Sequence, residues 1–291
     1  MSKILSGLSL MLEDDFLQAV LPLLEDGEVD ALEWSFDMGW GSNPIPEWAE
    51  MLIGEYSDAG KLFGHGVTYS LLSGAWTPRH EKWLESLRIE LQQRNYQHIS
   101  EHFGFMSAGN FHQGAPLPVP LTDKTLHLGQ ERMKQLSQIM HCPLGMENLA
   151  LALCKKDVED QGEFLRRLLE PIDGFLVLDL HNVYCQMENF SCSAEEILSS
   201  YPLDRVREMH ISGGSWMESA LARDRPIRRD THDDDVPEAV FSLLKLALPR
   251  CPQTQVVIFE RLGETLNQEP AKENVRADFL RMKSIIQGNE S

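Results

Sequence analysis

No stretch of this sequence approaches the ~20 consecutive apolar residues that a helix needs to cross a bilayer, so a membrane partner is not expected. Positive charge is scarce as well: 26 lysines and arginines stand against 45 acidic residues, a formal net charge of -19. Such a field repels phosphate backbones and argues against nucleic acid as a ligand. The acid excess reads as solvated helix faces. Cysteine is sparse, and the five present (Cys142, Cys154, Cys185, Cys192 and Cys251) are odd in number and form no CxxC pair. That argues against a disulfide-stapled framework and fits reduced thiols in a cytoplasmic protein. Also missing are the GxGxxG and Walker-type glycine loops that cradle nucleotides. The amino terminus, MSKILSGLSLMLEDD, has one early lysine, a short apolar run broken by Gly7, and closing acids. It reads as a first buried strand and not as a secretion signal.

Against these absences stands a 42% hydrophobic content in 291 residues. That is enough for a sizeable core, and the length suits one α/β barrel, which occupies ~250 residues without splitting. A single domain over residues 1–291 is expected, with a disordered C-terminal tail from about 286 to 291. Strand-length apolar runs recur at 4–12, 31–36, 61–67, 98–105, 143–149, 174–180, 206–212 and 255–260. Helical-period stretches lie between them, at 83–93, 130–140, 163–170 and 236–248. Phe164, Leu165, Leu168 and Leu169 form one apolar stripe, and Val240, Phe241, Leu244 and Leu248 another, each suited to press onto a sheet. Alternating strands and helices imply parallel strands with right-handed crossovers, and eight units predict a closed (β/α)8 TIM barrel over an open doubly wound sheet.

Metal-competent residues follow in order at the downstream ends of the apolar runs: His65, His102, Glu147, Asp179, Asn182, His210, Asp230, His232 and Glu260. In a barrel of this kind the active residues emerge at the carboxyl ends of the strands. A carboxylate that closes a run such as VVIFE or FLVLD is expensive to bury unless a cation compensates it. Singly, each has a bland reading: a hydrogen-bonded structural histidine, or a helix cap at Asp179 or Asp230, with Asp233 to Asp235 the better caps in the latter segment. Jointly they point to a polynuclear metal site, because one divalent ion takes about four to six ligands. Asp230 and His232, two apart, can reach the same side of an extended segment, and Glu147 can bridge two ions through its two oxygens. His181 and Asn182 are alternative ligands beside Asp179. His80, His98, His112, His127 and His141 are assigned to helices, loops or an alternate strand face, in surface or packing roles.

The segments GHGVTYS around His65, SEHFGF around His102, GMENL around Glu147, LDLHNVY around Asp179, REMHISGG around His210, DTH around His232 and VVIFER around Glu260 form an ordered set. Together, from about residue 30 to 265, they resemble the multinuclear non-haem iron-dependent oxidative enzymes, which share a xylose-isomerase-like TIM barrel. The ligand order also resembles AP endonucleases with a trinuclear zinc site, which carry histidine where this chain has Asn182. An amide oxygen in place of a nitrogen favours iron. Glu33 and Asp37 stand near the family's early acidic positions, whereas His181 replaces a common asparagine and Arg261 and Leu262 replace an acid.

The resemblance implies two or three irons, cycling between Fe(II) and Fe(III), with dioxygen as co-substrate. It implies oxidative modification of a ribosomally made precursor peptide at a cysteine, as in methanobactin or thiaglutamate biosynthesis, either with a separate small protein presenting the peptide or by the enzyme acting alone. Glu147, Asp179 and His210 are the expected catalytic centre of the ligand set. Residues 213–229, GGSWMESALARDRPIRR, read as a basic loop whose Arg223, Arg225, Arg228 and Arg229 grip a peptide carboxylate or an acidic leader. Residues 107–123, rich in proline and glycine, read as a loop overhanging the same face. Two other readings keep the metals or the barrel: a hydrolytic or isomerising divalent-metal enzyme, and a metal- or peptide-binding barrel without turnover.

Overall fold

A computed structural model describes residues 3–41, 44–108, 111–219 and 222–289, except for the side chains at 112–114, 219 and 222–224. Its strands in chain order are β1 (Leu5–Ser9), β2 (Ala31–Trp34), β3 (Leu62–Gly66), β4 (Ile99–His102), β5 (Phe105–Ala108), β6 (Phe111–Leu117), β7 (Leu144–Glu147), β8 (Phe175–Asp179), β9 (Val206–Ser212), β10 (Trp216–Ser219), β11 (Ala222–Arg228) and β12 (Val256–Glu260). Eight of them close into one parallel barrel in the order β1-β12-β9-β8-β7-β4-β3-β2. The eight apolar runs are these eight strands, and the fold is the TIM barrel expected from them.

Closure follows from what each strand buries. Every residue of β2, β3, β7, β8 and β12 is buried, because helices cover one face of the wall and the barrel lumen the other. Leu176, Leu178, Val257 and Phe259 belong to the large helix-facing core, whereas Ala31, Phe63, Val256 and Ile258 form a separate small cluster inside. Glycine makes room in that lumen: a Cβ on Gly145 would lie 2.3 Å from the Phe175 ring. A Gly145→Ala variant is therefore expected to lose about 1–3 kcal/mol through overpacking, read from its urea midpoint.

Three of these helices begin earlier than their apolar periodicity suggested, Pro78–Gln93, Asp123–Ile139 and Lys155–Leu169, because their first turns are largely polar; the fourth, Glu238–Ala247, begins later than expected, after its Pro237 N-cap. Phe164, Leu165, Leu168 and Leu169 are buried, as are Val240, Phe241 and Leu244. Asp233 to Asp235 do not cap the last of these helices, whose N-cap is Pro237; Asp235 instead pairs with Arg261 at 3.3 Å. Of the expected disordered tail, Ile286 ends the helix Glu269–Ile286, and Asn289 donates its backbone N–H to the Ser284 carbonyl at 3.0 Å. Residues 290–291 lie outside the described residues.

Two segments read as loops are hairpins. After β4 the chain pairs β5 with β6, Phe105 opposite Leu117, and after β9 it pairs β10 with β11, Trp216 opposite Arg228. Gly104, at φ +124, permits the first, since a Cβ there would lie 2.6 Å from the Leu117 carbonyl oxygen. Both hairpins leave from the carboxyl ends of barrel strands, beside the convergent donors.

Candidate metal centre

Strand register sets the donors at one level. His102 pairs with Glu147 across β4 and β7, and Asp179 with His210 across β8 and β9. Three donor atoms form a tight triangle: His65 Nε2 is 3.3 Å from His102 Nε2 and 3.5 Å from Glu147 Oε2, and His102 Nε2 is 3.4 Å from the same oxygen. Ligands that share one ion at ~2.0–2.2 Å stand roughly this far apart. The opposite ring nitrogens are engaged elsewhere: His65 Nδ1 contacts Ser100 Oγ at 2.7 Å, and His102 Nδ1 donates to the Gly66 carbonyl at 3.1 Å. That hydrogen bond fixes the His102 tautomer with a lone pair on Nε2, the usual outer support of a metal-binding imidazole.

A second set surrounds His210. Its Nδ1 lies 3.4 Å from Glu260 Oε2 and 3.9 Å from Glu147 Oε1, and its Nε2 lies 3.1 Å from Glu208 Oε1 and 3.2 Å from Glu33 Oε2. His232 Nε2 stands 2.9 Å from Asp230 Oδ1 and 3.6 Å from Glu260 Oε2. His232 holds a positive φ of 52°, a conformation uncommon outside glycine and frequent where a site dictates the backbone.

These residues fall into four overlapping donor groups: His65, His102, Glu147; Glu147, Asp179, His210; Asp179, His232, Glu260; and Glu33, His210, Glu260. Within each, the donor atoms lie within 4.8 Å of one another. Most of the buried polar atoms left without a hydrogen bond, among the described residues, mark the same spot. Glu33 Oε1 and Oε2, Glu147 Oε2, Asp179 Oδ2, Asn182 Oδ1, His210 Nδ1, His232 Nε2 and Glu260 Oε2 are buried without a hydrogen-bond partner. Buried polar groups are rarely left so, and a cluster of acceptors aimed at one space fits cations. Asp179 serves twice, because its Oδ1 caps the helix Leu180–Phe190 at the Asn182 N–H while Oδ2 stays free.

Electrostatics describe the same crowding. Burial pushes Glu33 up to about 7 and Glu147 and Asp179 well above the ordinary carboxylate range, with neighbouring acids adding to the rise. Burial also raises Glu260 and Asp230, but the latter falls well below its usual value against His232 and His181, and Glu260 falls to about 2 against His210 and His232. Burial, then the charges of His102 and His210, holds His65 neutral, the form that ligates.

The structure brings together His65, His102, Glu147, Asp179, Asn182, His210, Asp230, His232 and Glu260. Of the two neighbours, His181 spends Nδ1 on Asp230 Oδ1 at 3.0 Å and Nε2 on Arg228 Nε at 3.2 Å, whereas Asn182 leaves Oδ1 free. Glu33 enters the cluster more centrally than the sequence indicated; its signal was a carboxylate between Leu32 and Trp34 in a fully buried strand. Asp37 instead accepts from the Val67 and Thr68 N–H groups and from Trp83 Nε1, anchoring the loop after His65.

His98 and Glu208 were not anticipated as part of the site. His98 shares the inward face with Ser100 and His102 and contacts Glu208, whose other oxygen meets His210 Nε2, so the assignment of His98 to an alternate face is corrected. A Glu208→Gln variant keeps the volume but loses this support, and its metal affinity is expected to fall about 10–100-fold in a titration, with an unchanged far-ultraviolet spectrum.

The basic segment differs from a free gripping loop. Arg225 donates to the carbonyls of Glu188 and Asn189, Arg228 is buried, and Arg229 contacts Met217 Sδ at 3.0 Å; the Arg223 side chain lies outside the described residues.

The family of RiPP precursor modification enzymes MbnB/TglH/ChrH matches this chain over residues 47–286. The chain belongs to this family. Its activity is the modification of a ribosomally made precursor peptide, so this chain is a peptide-modifying enzyme by family. Among curated proteins, a UPF0276 protein of Shewanella loihica is 27% identical over 266 residues, covering 91% of this chain and 88% of that one. A second UPF0276 protein, of Acinetobacter baylyi, is 26% identical over 85% of this chain and 81% of its own. Among solved structures, the IOLI protein with a bound zinc atom superposes with a TM-score of 0.64 at 13% identity, covering 99% of this chain and 100% of that one. A xylose isomerase domain containing protein from Salmonella typhimurium LT2 gives 0.59 at 16%, covering 99% and 98%. At such identities the structural likeness shows the barrel. Among the described residues, no helix is long and apolar enough to cross a membrane.

Proposed function

We propose that this family member is a multinuclear non-haem iron enzyme that uses dioxygen to oxidise a precursor peptide at a cysteine. The observation that carries the reading is the convergence of unpartnered, buried nitrogen and oxygen donors into four linked groups. His65, His102 and Glu147 would hold one ion, and Asp179, His232, Glu260 and Asp230 another. Glu147, Asp179 and His210 stand where the outer groups meet, and a third ion would sit among them with the amide oxygen of Asn182. A nitrogen and oxygen set without thiolate suits iron in both its ferrous and ferric states. Iron held there would supply the redox chemistry, with dioxygen accepting the electrons.

The protein's own part is to hold the donors rigid, to keep water from the buried set and to seat the peptide. The β5–β6 and β10–β11 hairpins expose Phe111, Trp216 and Met217 beside this mouth and suit contact with a peptide or a small presenting protein. The decisive experiment is anaerobic loading with ferrous ion, metal counting, then exposure to air with a cysteine-bearing peptide encoded beside the gene. Two or three irons per chain, oxygen uptake that requires the peptide, and a changed peptide mass are expected. Tight binding of zinc alone, with no oxygen uptake, would replace this reading with a hydrolytic one.

A further inference from the structure

We infer that Arg228 is a positioning residue for the candidate centre, acting through His181 on Asp230, with the β10–β11 hairpin sealing it from water. The inference rests on the metal reading for its consequence but not for its geometry.

An arginine Nε carries a hydrogen and cannot accept. Since Arg228 Nε lies 3.2 Å from His181 Nε2, that ring nitrogen is the acceptor, and the ring proton resides on Nδ1. Nδ1 faces Asp230 Oδ1 at 3.0 Å, so the proton is donated to the carboxylate. The same oxygen meets His232 Nε2 at 2.9 Å. Arg228 thereby holds the adjacent His181 in its Nδ1–H tautomer, and Asp230, two groups from Arg228, receives a fixed hydrogen bond from behind.

The surroundings hold Arg228 in this pose. It is only 5% exposed, and its guanidinium stacks between Tyr184 at 5.3 Å and Trp216 at 5.6 Å. Its backbone is clamped on both sides by one side chain: Asn189 Oδ1 accepts from the Arg228 N–H at 2.8 Å, and Asn189 Nδ2 donates to the Arg228 carbonyl at 2.8 Å. Arg225 donates to the Glu188 and Asn189 carbonyls at the end of the helix Leu180–Phe190, tying the hairpin to the element that carries His181. The hairpin root presses on the ring itself, since a Cβ on Gly214 would lie 2.6 Å from His181 Cε1. These contacts turn a basic strand of the hairpin inward and leave Trp216, 46% exposed, as its outer cover.

The test uses the full-length metal-free chain labelled with 15N-histidine, with His181 assigned by its loss in His181→Asn. Wild type is expected to show the Nδ1–H tautomer at His181, and Arg228→Met, which cannot donate, a shift toward Nε2–H. The same variant is expected to bind Co(II), used as the probe ion, about 10–100-fold more weakly. An unchanged tautomer and unchanged Co(II) affinity in folded Arg228→Met overturn the inference. Should that variant not fold, Arg228→Lys, which keeps a charge but not the planar Nε–H, decides by the same two readings. Wild-type protein that takes up no Co(II) would defeat the metal reading, while the tautomer would still decide the role of Arg228.

Discussion

Replacing Glu147 with alanine is expected to lower bound iron to at most one ion per chain and to cut peptide oxidation by at least ~100-fold, since even an outer-shell partner costs about 10–100-fold. Glu147 belongs to two of the four donor groups, sharing one with His65 and His102 and the other with Asp179 and His210. Its Oε2 closes the tight triangle and has no hydrogen-bond partner, so truncation removes a ligand without freeing a structural contact of that oxygen. Its Oε1 accepts from Asn182 Nδ2 at 3.2 Å, a bond that Glu147→Gln can rearrange. Glutamine keeps the volume and loses the charge, and should therefore fold like wild type while retaining the metal deficit. Elemental analysis of purified variants, with circular dichroism as the folding control, checks this. Full iron content in Glu147→Ala would remove the shared-carboxylate arrangement.

The second large effect is a pH dependence of opposite sign with and without metal. In the metal-free fold, burial holds protons on Glu33 up to about 7 and on Glu147 and Asp179 beyond the ordinary range. For a carboxylic acid raised in this way, the unfolded chain ionises first, near 4.5, so its contribution to stability declines as pH rises from there through the folded value. Glu260 and Asp230 raise His210 and His232 far enough to overcome burial. Their contribution is present below the ordinary 6.5 and is lost as pH climbs through the raised value. Both kinds of group therefore weaken the metal-free protein between about pH 5 and 8. Glu260 and Asp230 are depressed, so they act the other way, and only as pH falls below the ordinary carboxylate range.

Metal binding is expected to reverse this trend. Ions must displace those protons, so affinity rises with pH and binding releases protons to the buffer. At a free concentration near one hundred times Kd the gain is about 2.7 kcal/mol, which at ~2–4 °C per kcal/mol is roughly 5–10 °C in Tm. The gap between loaded and chelated protein should widen from pH 6 to pH 8. Calorimetry in buffers of different ionisation enthalpy would read the protons directly, and a gap that is flat or narrows with pH would contradict the buried, proton-holding donor set.

The barrel was legible in the sequence because strands buried on both faces have to be apolar nearly throughout, so each run showed itself without any knowledge of its neighbours. The strand-end donors were legible for the converse reason: a histidine or carboxylate closing such a run, as Glu260 closes VVIF and Asp179 closes FLVL, is costly unless something compensates it. Glu33 was less so, since it sits within ALEW, where nothing local distinguishes a lumen-facing acid from a helix-facing one.

What chain order alone determined, then, was the number of barrel units and most of the residues that meet at the barrel's mouth. What only the tertiary structure decided was facing and partnership. Closure set the register that puts His102 beside Glu147 and Asp179 beside His210, turned His98 and Glu208 inward beneath the cluster, and folded a basic segment back until Arg228 met His181. Apolarity is a property of each residue and can be read along the chain, whereas a hydrogen bond between residues 47 positions apart exists only after closure has brought them within reach.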